Sequence, residues 1–71
     1  MSYTYTITRL TVEVLQDGYL VSARLISSYC DAYVVRRLRA EAEDAKNPSA
    51  SISFCHLVAR DECIERGIIY D

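Results

Sequence analysis

The chain has 71 residues, 51% of them apolar and 25% charged, with a formal net charge of −2. This is enough for one domain, residues 1–71, and excludes two domains, an intrinsically disordered chain and a membrane span of about 18 apolar residues. A domain this small buries only roughly 60% of its unfolded-chain surface, so docking on another protein or on a second copy would relieve its marginal stability.

The start shows no basic segment followed by an apolar run, the pattern of an export signal. Three cysteines, Cys30, Cys55 and Cys63, make an odd count. Both observations predict reduced thiols and a cytoplasmic location. Charge is uneven along the chain. Residues 1–40 carry Arg9, Arg24, Arg36, Arg37 and Arg39 against Glu13, Asp17 and Asp31, while residues 41–71 carry Lys46, Arg60 and Arg66 against seven acids. The net acidity disfavours wrapping of duplex nucleic acid.

Residues 3–25 are rich in Thr, Tyr and Val and predict strand. Asp17-Gly18 is the dipeptide of a type I′ hairpin turn, whose two central residues both need positive φ. With that turn, Gln16 pairs with Tyr19, Val14 with Val21, Val12 with Ala23 and Leu10 with Leu25, giving one apolar face. Glu13 then lies diagonal to Arg24 on the other face. Before Leu10 the apolar positions are odd-numbered (Tyr3, Tyr5, Ile7); after it they are even. An extra residue at Thr8-Arg9 predicts a β-bulge or bend. The second strand of this hairpin is too short to cover the first half, so Tyr3, Tyr5 and Ile7 need another partner. They form a candidate edge or dimer strand.

Ser28 with Asp31 approximates a capping box at a helix start. Cys30, Val34, Leu38, Ala42 and Ala45, with Val35 beside them, form a narrow apolar stripe suited to close packing on a sheet. Arg37–Glu41 and Arg39–Glu43 are i,i+4 pairs. Asn47-Pro48-Ser49 ends this helix. Residues 51–58 alternate and predict a strand, with Ile52, Phe54, His56 and Val58 on one side. A short helix over Arg60–Arg66, a cap at Gly67 and a last strand at Ile68-Ile69-Tyr70 complete the reading. The expected fold is α+β: an antiparallel sheet of three to four strands with one main helix on a face, in the order β-β-α-β-(short α)-β.

No catalytic or metal motif stands out. Cys55-His56 with Cys63 lacks the paired short spacings of structural zinc, and neighbouring strand residues point to opposite faces. Glycine-rich phosphate loops are excluded by a count of two glycines. The chain is expected to be no enzyme and to hold no cofactor and no metal.

Three candidate contact surfaces follow. Glu41, Glu43, Asp44, Asp61, Glu62 and Glu65 form an acidic set able to meet a basic groove. Tyr29, Tyr33, Arg36 and Arg37 lie opposite the apolar stripe and combine the residue types enriched at protein interfaces and on single-stranded nucleic acid. Tyr3, Tyr5 and Ile7 are the third. In size, acidity and lack of catalytic residues, the chain resembles the compact inhibitor proteins that phages and mobile elements make, including anti-CRISPR proteins. That resemblance implies a non-catalytic inhibitor or adaptor that blocks a surface of a larger complex. A small nucleic-acid-binding regulator and a dimerising structural subunit are the alternatives.

Overall fold

A computed structural model describes residues 2–45 and 51–70. Strands β1 (Tyr3–Ile7), β2 (Thr11–Gln16) and β3 (Tyr19–Leu25) form an antiparallel meander in the order β1-β2-β3. A 3₁₀ helix (Ile26–Cys30) leads into α1 (Ala32–Asp44), and α2 (Ile52–Glu65) follows. The fold is α+β, with two full helices and an element order of β-β-β-α-α in place of the expected alternation.

The phase change at Thr8-Arg9 marks a chain reversal, not a bulge. β1 folds straight back on β2, pairing Ile7 with Val12 and Tyr3 with Gln16. Thr8 holds the reversal: its backbone N–H donates to the Thr11 carbonyl at 2.8 Å, and its hydroxyl accepts from the Thr11 N–H at 3.0 Å. A threonine hydroxyl thus does the work usually left to Asn, Asp or Gly. The strand partner that Tyr3, Tyr5 and Ile7 require is β2 itself.

The second turn forms as its sequence predicts. Asp17 and Gly18 have φ of 51° and 87°, and Gln16 pairs with Tyr19. The register then departs from expectation. Leu15 faces Leu20 but Val14 faces Ser22, so β3 carries one extra residue, Val21. This bulge inverts the faces of β3 beyond it. Ser22 and Arg24 join Val12 and Val14 on the inner face, while Ala23 and Leu25 turn outward. Glu13, opposite Ala23, therefore lies on the other face from Arg24.

Helix α1 starts three residues later than the Ser28 box implies. Asp31 is its N-cap, its carboxylate accepting from the Tyr33 N–H at 2.9 Å. The stripe is real at Val35, Leu38 and Ala42, which are buried; Val34 is half-buried and Cys30 is exposed. The expected stop at Asn47-Pro48-Ser49 lies outside the described residues.

Residues 51–58 are helical, not extended. Ser51 caps α2, accepting from the Phe54 N–H at 3.0 Å. The buried face of α2 is Ser53, Cys55, His56, Ala59, Arg60 and Cys63, a set of small and polar side chains that hydropathy overlooks. Several of its apolar residues, Ile52, Phe54, Leu57 and Val58, are only half-buried or exposed. Gly67, at φ 75°, ends the helix in a Schellman motif: its N–H donates to the Ile64 carbonyl and that of Ile68 to the Cys63 carbonyl. Ile68–Tyr70 forms no strand. Ile69 instead packs into the core.

That core lies between the inner sheet face and the helices, built on Val12, Ile26, Tyr29, Leu38, Ala59, Cys63 and Ile69. The helices run antiparallel. Ala32, Val35 and Arg36 sit beside Arg60, whereas Ala42 and Glu43 sit beside Phe54 and Leu57.

Candidate functional site

His56, the chain's single histidine, is buried and holds both ring nitrogens in hydrogen bonds. Its Nδ1 lies 2.7 Å from the Tyr29 hydroxyl and its Nε2 lies 2.9 Å from Ser22 Oγ. The Val21 bulge is what brings Ser22 to the inner face. The phenol proton of buried Tyr29 needs an acceptor, and Nδ1 is the one within reach. A neutral imidazole then carries its proton on Nε2 and donates it to Ser22. In that tautomer Nε2 donates to Ser22, and the trio closes a buried hydrogen-bond network between the 3₁₀ helix, α2 and β3. Burial and the nearby Arg24 guanidinium push His56 down from 6.5 to about 4, and burial pushes the Tyr29 phenol up from its ordinary value of 10.

The Tyr/Arg helix face divides. Tyr29 belongs to the 3₁₀ helix and is buried, so it does not share a surface with Tyr33. Tyr33 is exposed, with the Arg37 guanidinium 6.0 Å from its ring centroid; Arg37 Nε also lies 3.9 Å from Glu41. Arg36 turns the other way, into a cleft shared with Arg39, Arg60 and Tyr70. Helical spacing singles out Arg36; Arg39 enters the sequence reading as the i,i+4 partner of Glu43, and Arg60 as the start of a short helix.

The acidic set does not form one face either. Glu41, Glu43 and Asp44 stand at the C-terminal end of α1, beside the start of α2, where Ser53 Oγ donates to Glu41 at 3.3 Å. Asp61, Glu62 and Glu65 stand at the far end of α2, about 12 Å or more away at 1.5 Å per residue. Glu62 is also occupied, accepting from the Tyr5 hydroxyl at 3.0 Å and pairing with Arg66 at 2.8 Å.

Strand β1 is an edge of the sheet, and its inner residues are half-buried. Ile7 packs on the core, while Tyr3 and Tyr5 wall an apolar groove of about 400 Å³ with Phe54, Cys55 and Val58. The opposite edge, β3, also exposes apolar side chains. Leu10, Leu20, Val21 and Leu25 are 67%, 60%, 40% and 56% exposed. Leu10 and Leu25 sit together, as the Ile26 N–H donates to the Leu10 carbonyl and Thr11 pairs with Leu25. Leu10, Val21 and Leu25 were expected on the core face, and the reversal at Thr8 and the extra residue Val21 place them outside it.

Among the described residues no three His, Cys, Asp or Glu side chains converge, and no helix is long and apolar enough to cross a membrane. Cys55 and Cys63 are buried, with thiols pushed up by desolvation, while Cys30 is exposed. One of three thiols is therefore expected to react at once with Ellman's reagent at neutral pH, and the other two only on unfolding. Two or three fast equivalents in the folded protein would contradict this packing.

The site residues thus sit on a small α+β scaffold whose two sheet edges, β1 and β3, are unpaired among the described residues. Comparison of the chain with protein-family models, with curated proteins and with solved structures finds no match.

Proposed function

We propose that this protein is a non-catalytic binding module, a small inhibitor or adaptor of the anti-CRISPR kind that occupies a surface of a larger protein complex. One observation carries the reading: the β3 edge, unpaired among the described residues, exposes Leu20 and Val21 near the Asp17-Gly18 turn and Leu25, with Leu10 beside it, at the far end. Exposed apolar side chains on an edge strand mark an interaction surface, because such a strand offers backbone N–H and C=O groups as well as apolar area. Glu43, Asp44 and Asp61 are exposed acids on the helices, and charge there acts on the rate of an association more than on its strength.

The test is capture of a partner by the wild type and by Leu20→Lys/Leu25→Lys. These side chains are solvent-exposed, so the double variant is expected to stay folded and to lose capture by at least about tenfold. Full capture by the folded variant would defeat the reading. A second reading, the dimerising subunit, rests on the same strip, since β3 can pair antiparallel with its own copy about a two-fold axis. Light scattering after size exclusion separates the two: a monomer at high concentration removes the dimer.

A further inference from the structure

We propose that the cleft between the N-terminal half of α1 and the C-terminal half of α2 binds a small phosphate-bearing molecule of the nucleotide type, through Arg36, Arg39 and Arg60. This goes beyond the β3 reading and uses a different surface. The cleft holds about 280 Å³, close to the lower end of small-molecule sites at roughly 300 Å³. It therefore suits one phosphate with an attached ring better than a polymer.

Three guanidinium side chains line it in a chain whose net charge is −2. Arg36 and Arg39 are three residues apart on α1 and so share one helix row. Among the described residues, neither has a carboxylate within ion-pair distance: the acids pair with Arg37, Arg60 and Arg66. Two neighbouring cations without such a partner repel each other, and a dianion between them removes the repulsion.

Arg60 contributes position. Its side chain is only 11% exposed, and its Nε donates to the Tyr29 carbonyl at 3.3 Å, with Asp61 at 3.9 Å from one terminal nitrogen. A guanidinium held in this way loses little freedom on meeting a ligand, and its planar fork matches phosphate oxygens. Ala32 and Val35 give the cleft an apolar wall, and Tyr70 stands exposed at its rim. The phosphate meets the arginines while a base lies against the wall and the Tyr70 ring.

The experiment follows the arginine Nε–H signals by NMR while AMP, inorganic phosphate, adenosine and a short oligothymidylate are titrated in turn. AMP and phosphate are expected to move Arg36, Arg39 and Arg60 and to leave Arg9 and Arg66 in place. AMP should bind at least about tenfold more tightly than adenosine, and Arg36→Gln/Arg39→Gln should weaken it by at least about tenfold. Both substituted residues are exposed, so an unchanged urea midpoint is expected and keeps the result interpretable. The proposal fails if adenosine binds as well as AMP, if the double variant binds AMP at full strength, or if shifts scatter over all arginines. It fails equally if oligothymidylate outcompetes AMP, which would make the cleft part of a nucleic-acid surface. None of these outcomes bears on capture through β3.

Discussion

Lowering the pH from 7 to 4 is expected to remove about 3 kcal/mol of folding stability through His56 alone. The ring titrates at about 4 in the folded protein and near 6.5 when unfolded. Between those values the unfolded chain binds the extra proton and the folded chain does not, so stability rises with pH across that window. The contribution is complete above pH 6.5 and lost as pH falls toward 4, at about 1.4 kcal/mol per unit. The cause is structural. Protonation puts a hydrogen on Nδ1, facing the Tyr29 O–H in a buried place next to Arg24. A domain of this size has roughly 4–10 kcal/mol in all, so the loss is a large share. Carboxylates titrate in the same range, so the quantity to measure is the difference between wild type and His56→Gln, by urea unfolding from pH 7 to 4. The single histidine also gives a direct reading, its C2–H resonance. A midpoint near 6.5, or parallel pH profiles for the two proteins, would show that the ring is not buried in this network.

The other large effect is expected from Leu38→Ala, at about 3 kcal/mol. Leu38 is fully buried, packed with Val12, Tyr29, Ala59 and Cys63 where α1, α2 and the sheet meet. Truncation loses the transfer energy of the missing atoms and leaves a cavity that a rigid three-way junction cannot close, and losses of roughly 2–5 kcal/mol are usual at such sites. The urea midpoint should fall at unchanged slope. Tyr33→Ala, one turn and a little earlier on the exposed side, should cost less than about 0.5 kcal/mol. If the two variants lose equal stability, Leu38 is not at the centre of the core.

How far the sequence was legible depended on which signal each element carried. Asp17-Gly18 announced its turn because positive φ restricts the choice of residues, and the stripe of α1 showed because Val35, Leu38 and Ala42 are apolar and buried. The reversal at Thr8 was hidden because a threonine hydroxyl, with no Gly, Pro, Asn or Asp, closes it. Helix α2 was hidden because its buried face is Ser53, His56, Ala59, Arg60 and Cys63, while Phe54 and Val58 are left half-exposed or exposed. Hydropathy then followed an alternation of period two that the packing does not use. Its one legible marker was Ser51, a serine after a proline-containing stretch, well placed as an N-cap. The arginine cleft depends on α2 being helical, so a strand over residues 51–58 does not bring Arg60 to α1. The exposed strip of β3 was missed for a similar reason: one extra residue, Val21, reverses which side of the strand meets the core.

The hydrogen bond from Tyr5 to Glu62 joins residues 57 positions apart, and it sets an order of events for folding. Both hairpins and the helix pair connect neighbours in the chain, contacts that form quickly because little loop entropy opposes them. The docking of α2 onto β1 is the longest closure among these contacts. Closure of α2 over the inner face of the sheet is therefore expected to limit the folding rate, and lengthening the segment between the two should slow it.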